Sequence, residues 1–141
     1  MARASSKTTV NTKKVSKELL RRIKKTLKNV YAPYSGISVS AALYCANGNI
    51  YTGCNVENSS YSLTMCAERV ALFKAVSEGE KDFLLLLLHS PDIDSILPCG
   101  ACLQVYSEHS PNIIIATVST KDEFRFYPIK TLLTQPFRLK K

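Results

Sequence analysis

The stretch "FLLLLLHS", Phe83 to Ser90, carries no polar alternation. A strand with one wet face alternates polar and apolar side chains, so this one belongs in the middle of a sheet with both faces covered. Helices must then lie above and below it, and the flanking sequence supplies them. Upstream, "CAERVALFKAVS" (Cys66 to Ser77) reads as a helix that stops at Gly79 and leads into the strand. Downstream, a second helix opens on "PCGAC", Pro98 to Cys102.

Farther out, "ISVSAALYC" (Ile37 to Cys45) and "NIYTGCNV" (Asn49 to Val56) read as strands joined by "ANG". Asn47 and Gly48 suit the positive φ angles of a tight turn, which makes this pair an antiparallel hairpin. "NIIIATVS" (Asn112 to Ser119) repeats the covered pattern, and "EFRFYP" (Glu123 to Pro128) follows after only a few residues. A parallel crossover needs a dozen or more residues, so the last two strands also pair antiparallel. A helix is expected over 16–30, with Val15, Leu19, Leu20, Ile23 and Leu27 as its apolar face, and Pro128 to Leu133 adds a short terminal helix. The expected fold class is α/β: a three-layer α/β/α domain around a five-stranded mixed sheet.

With 141 residues, 45% of them hydrophobic, the chain is long enough for one core and too short to need two domains. Its longest apolar run, Phe83 to Leu88, is far below the roughly 18 residues of a membrane span, and its first residues lack the apolar core of a secretory signal. A cytoplasmic protein with no membrane partner is expected. The net charge of +8 is concentrated at one end: residues 1–28 hold ten Lys or Arg against Glu18 alone, and the remainder is nearly balanced. Residues 1–14 are expected to form a disordered basic arm and residues 15–141 the folded domain. The arm leaves RNA, an acidic membrane or a nuclear import receptor open as contacts, although a solvated helix face is the favoured reading.

Five cysteines are an odd number, and the tight spacing of Cys99 and Cys102 suits metal or catalysis better than a disulfide framework. Cys45 and Cys54 lie in apolar or alternating stretches and read as small buried hydrophobes. Cys66, Cys99 and Cys102 offer three thiolates, and three protein ligands with one open position is the pattern of a catalytic zinc. Where helices begin at such residues, their amides and dipoles lower the thiol pKa values that must fall for metal binding. Glu68 is superfluous to a structural zinc site. Two residues from Cys66, it is placed to take a proton from a water on the metal and deliver it to a substrate. Three thiolates leave the cluster at −1, and Arg69 is a candidate to return positive charge to it. A surface helix arginine remains an equal reading.

"CAE" followed by "PCGAC" resembles the zinc-dependent cytidine deaminases, whose characteristic site pairs a His/Cys/Cys or Cys₃ metal centre with a glutamate that does not ligate. The similarity extends through "YAPYSGISVSAAL", "GCNVENSSYSLTMCAERVALFKAVSEGEKDF" and "LPCGACLQV". These segments resemble the small free-nucleoside enzymes almost continuously from Tyr31 to Val105, while residues 1–14 have no counterpart. The resemblance implies one Zn²⁺ per chain on Cys66, Cys99 and Cys102, with Glu68 as proton shuttle. It implies that Asn55 and Glu57 hydrogen-bond the ribose, that the backbone at Ala67 holds the pyrimidine edge, and that Tyr61 reaches a neighbouring subunit's site. Phe137 matches an aromatic that covers the active site, and the implied assembly is a homotetramer.

The implied reaction is hydrolytic deamination of cytidine, and of deoxycytidine, to the uridine in pyrimidine salvage, with no organic cofactor. Four positions depart from the family pattern. Ile37 stands where a phenylalanine stacks near the nucleoside, Ser40 replaces a glycine, Leu103 replaces the arginine after the second cysteine of "PCGAC", and the chain ends "PFRLKK". Deamination of a blasticidin-like nucleoside is an alternative within the same chemistry. A polynucleotide deaminase would use the basic arm, but such enzymes place a helix between the strands that are expected here to form the Val118–Phe124 hairpin. A structural zinc module would need a fourth ligand from Cys45, Cys54, His89 or His109, and would leave Asn55, Glu57 and Glu68 without a purpose.

Overall fold

In a computed structural model, residues 11–140 are described. Helix α1 (Thr12–Thr26) begins where the Asn11 side chain accepts a hydrogen bond from the Lys14 amide at 3.2 Å. This cap places the helix start four residues before the predicted one. Thr12 to Lys14, assigned from sequence to the disordered arm, are therefore helical; residues 1–10 of that arm lie outside the described residues. At its other end α1 closes in a 3-10 turn over Leu27–Asn29.

Strands β1 (Ser40–Cys45) and β2 (Ile50–Cys54) form the expected antiparallel hairpin. Of its turn residues only Gly48 takes a positive φ, +90°. Asn47 contributes through its side chain, whose Oδ1 accepts from the Asn49 amide at 3.0 Å, an Asx turn. The rest of the domain follows as α2 (Ala67–Ser77), β3 (Phe83–His89), α3 (Gly100–His109), β4 (Ile114–Val118), β5 (Phe124–Pro128) and α4 (Ile129–Leu132). Gly79, with φ +93°, ends α2 as expected.

The sheet order is β2-β1-β3-β4-β5. β3 pairs antiparallel with β1 and parallel with β4, and β4 pairs antiparallel with β5, so the sheet is mixed and the leucine run lies at its centre. Leu85 and Leu87 face α1, packing with Leu19, Leu20 and Ile23. Leu86 and Leu88 face the opposite way, into the layer that holds Leu72 of α2 and Tyr106 of α3. From Leu85 to His89 both faces of β3 are thus buried, which is why its sequence lacks alternation, and only Leu84 near its start is exposed.

One glycine fixes how α2 meets the sheet. A Cβ on Gly53 of β2 would lie 2.4 Å from the Ala67 carbonyl oxygen and 2.6 Å from the Ala71 amide. The bare glycine lets the start of α2 press onto the sheet edge, and so sets the position of Cys66 and Glu68.

Candidate active site

Cys66 and Cys99 are the N-caps of α2 and α3. Their carbonyls accept the first helical hydrogen bonds, from Val70 at 3.1 Å and from Leu103 at 3.0 Å. Cys102 follows in the first turn of α3 and is fully buried. The topology thereby brings two helix N-termini, 33 residues apart in sequence, against one another. Their partial positive charges face the thiols.

The Cys66 and Cys99 sulfurs are 3.9 Å apart, and all three sulfurs lie within 4.8 Å of one another. A tetrahedral zinc with Zn–S bonds of about 2.3 Å holds its sulfurs about 3.8 Å apart. The donor set fits zinc in both spacing and softness. Among the described residues no fourth His, Cys, Asp or Glu joins the cluster. Cys45, Cys54 and His89 are buried elsewhere, and His109 is exposed at the far end of α3.

Charge is arranged unevenly around the sulfurs. The Arg69 Nη2 donates to the Cys66 sulfur at 3.5 Å. A hydrogen bond from Cys102, reinforced by the Arg69 guanidinium, lowers the Cys66 thiol to about 5. Cys102 is pushed upward by that same shared bond and by burial. The hydrogen bond to Cys66 in turn raises the Arg69 pKa. Arg69 therefore touches the cluster, as one of its two sequence readings required.

Glu68 is 5% exposed. Burial, with the neighbouring Cys66 charge, raises its carboxyl from 4.5 to about 7. Its backbone is pinned from the other helix: the buried Tyr106 hydroxyl donates to the Glu68 carbonyl at 2.8 Å. Tyr106 is a positioning residue that sequence reading missed; its only signal was a lone polar ring on an otherwise apolar helix face.

A pocket of about 240 Å³ opens over the cluster, and Cys66, Cys99, Ala67, Glu68, Asn55 and Ile37 all line it. Ile96 and Leu97, just before Pro98, form a further apolar wall that sequence reading overlooked. The amide of Asn55 is partly used within the chain, donating to the Ile37 carbonyl at 2.8 Å and accepting from the Val39 amide at 2.9 Å. Glu57 stands beside the pocket rather than in its wall. Its carboxylate accepts from the Tyr34 and Ser35 amides at 2.9 and 3.2 Å and from the Ser35 hydroxyl, and that hydroxyl contact is the main cause of its lowered pKa.

Two residues singled out in the sequence are not in the pocket of this chain. Tyr61 is 64% exposed and packs edge-to-face on Tyr34 at 5.8 Å. Phe137 is 69% exposed, its backbone held by both polar atoms of the Gln104 side chain at 2.8 and 3.0 Å.

Residues 13–117 match the family model of the cytidine and deoxycytidylate deaminase zinc-binding region. The cytidine deaminase of Sporosarcina psychrophila is 48% identical over 91 residues, covering 64% of this chain and 67% of that one. Blasticidin-S deaminase of Bacillus cereus is 31% identical over 85 residues, covering 55% and 61%. The crystal structure of cytidine deaminase from Burkholderia pseudomallei superposes with a TM-score of 0.81 at 36% identity, covering 86% of this chain and 98% of that one.

Proposed function

Because this chain belongs to the cytidine and deoxycytidylate deaminase family, we propose that its pocket hydrolyses free cytidine, and deoxycytidine with it, to the uridine and ammonia. The observation that carries this reading is a buried carboxyl, Glu68, lining the same pocket as Cys66 and Cys99 of the three-thiol cluster. A structural zinc module has no use for such a group.

Cys66, Cys99 and Cys102 would hold Zn²⁺. When bound, zinc supplies Lewis acidity that makes water a nucleophile near neutral pH. The remaining work falls to the chain. Glu68 accepts the proton of the attacking water and passes it to N3 of the base as oxygen bonds to C4. It then takes the proton of the new C4 hydroxyl and delivers it to the exocyclic nitrogen, the C4–N bond breaks, ammonia leaves and the C4 carbonyl forms. Tyr106 holds the Glu68 backbone in place from α3.

Asn55 and Glu57 are assigned to the ribose. An amide with one N–H and one lone pair still open, and a carboxylate with one of its roughly four acceptor sites left, together suit a hydroxyl that donates and another that accepts. Ala67 lines the pocket and its backbone is assigned to the pyrimidine edge, while Ile37 also lines it. Tyr61 and Phe137 are assigned to a shared site in a homotetramer. The exposed apolar side chains Tyr61, Leu63, Phe137 and Leu139 support that assembly. Five free thiols fit a cytoplasmic setting. Among the described residues no helix is long and apolar enough to cross a membrane.

The test is loss of cytidine absorbance with purified protein, run beside deoxycytidine, adenosine, blasticidin S and a cytosine-containing single strand. Turnover of cytidine and deoxycytidine alone is expected. Turnover confined to blasticidin S or to the strand would replace this reading with the corresponding one.

A further inference from the structure

We propose that the groove between α1 and the edge strand β5 docks a single-stranded nucleic acid, bases stacking on Phe124 and Phe126 and phosphates lying on Lys13 and Lys17. The groove measures about 250 Å³ and is lined by those four residues. The two rings are nearly parallel, 19° apart with centroids at 6.3 Å, and Phe126 is 40% exposed on the last strand of the sheet. Phe124 and Phe126 pair across to Val118 and Ala116, whose side chains face α1, so the rings extend the α1 side of the core out beyond the helix edge.

Charge complementarity selects the occupant. Lys13, Lys17 and Lys24, spaced four and seven residues apart, form one stripe along α1. Lys24 is paired with Asp122 at 2.8 Å, and Glu18 is occupied by Arg21 and Arg22. Among the described residues neither Lys13 nor Lys17 has a carboxylate partner. A helix of 15 residues is about 22 Å long, so its basic side tracks several phosphates. Exposed aromatic faces beside such a ridge are the parts from which sequence-tolerant single-strand platforms are made. An apolar protein surface docked there would instead have to desolvate both lysines without partners. The groove lies on the sheet face opposite α2 and α3, so the strand is held away from the pocket and is not its substrate.

The probe is a fluorescein-labelled oligothymidylate of about 15 nucleotides, which contains no cytosine, titrated with the full chain and read by anisotropy. Phe126→Ala should weaken binding about fivefold to a hundredfold, the range for one base–aromatic stack. Lys13→Gln with Lys17→Gln should flatten the log affinity–log salt slope by about 1.4, as for two single-strand phosphate contacts. An abasic strand of equal length and charge should bind more weakly than oligothymidylate. Equal affinity for the abasic strand, or unchanged affinity in a folded Phe126→Ala, would leave only undirected charge attraction and overturn the proposal. The abasic comparison needs no variant and stands even where Phe126→Ala fails to fold. Binding that vanishes on removing residues 1–10 while Phe126→Ala has no effect would also overturn the proposal. Cytidine turnover is expected to be unchanged in all three variants, which separates this site from the catalytic reading.

Discussion

Beside a thiolate and 5% exposed, a carboxyl loses most of its hydration and holds its proton to higher pH. Glu68 is the group assigned to carry the protons, and its replacement tests that assignment. Glu68→Gln keeps the shape of the side chain and all three thiols, so the purified variant should retain zinc by metal analysis while turnover falls by roughly 10²-fold or more. Near-normal turnover with zinc bound would place the shuttle elsewhere. Gly53 makes a different kind of contribution. Its missing Cβ would meet backbone at 2.4 and 2.6 Å, atoms that cannot swing aside. Gly53→Ala should cost about 1–3 kcal/mol in thermal or denaturant unfolding, the range for forced overpacking, and should also depress turnover because α2 carries Cys66 and Glu68. A variant with parental stability and rate would show that α2 adjusts freely. Glu68 was legible from its distance to Cys66, whereas Gly53 was one glycine among five until α2 was seen against β2.

Between elements, the end of β3 under α1 makes a second titrating point. His89 is 6% exposed, pairs in register with Ser40 of β1, and its Nδ1 has no hydrogen-bond partner. Burial, helped by the Lys24 charge and opposed by Asp122, holds its pKa below the ordinary 6.5. The folded state thus favours neutral His89. The stability this contributes is complete above 6.5 and is lost as pH falls through the depressed folded value. Melting temperature should decline on acidification from about pH 8 to 5 more steeply in the parent than in His89→Asn. Thiol protonation at the metal cluster is common to both proteins and cancels in the comparison. Identical slopes would show that His89 takes up its proton without cost in the fold. The helices and hairpins themselves were readable because they depend on local spacing. The start of α1 was misplaced because Asn11, a good capping residue, sits inside a polar run that also looks like an unstructured arm.

For the whole molecule, the two predictions concern metal and assembly. Metal analysis should find about one zinc per chain on three thiols with no fourth protein ligand, and chelation should lower the melting temperature, since binding free energy at such a site is also folding free energy. Unchanged melting after complete zinc removal would make the cluster incidental. Light scattering should report a tetramer that keeps its mass and its cytidine turnover when residues 1–10 are removed. An active monomer would refute the shared site assigned to Tyr61 and Phe137. Obligate interfaces bury apolar surface, and Leu63 and Leu139 beside those aromatics are exposed and open to such burial.

Features that depend on neighbours in sequence could be read before any folding was considered. CxxC at Cys99 and Cys102, the two-residue step from Cys66 to Glu68, and the unbroken apolar run of β3 each specify an arrangement through helix or strand periodicity alone. What joins these pieces is not periodic. That Cys66 stands 3.9 Å from Cys99, that Tyr106 reaches the Glu68 carbonyl, that Glu57 closes the Tyr34–Ser35 turn and that Phe126 lies beside Lys13 all depend on how α2, α3 and α1 settle on the sheet. Packing decides those distances because it acts through every layer at once, and no local pattern records which distant side chains it brings into contact.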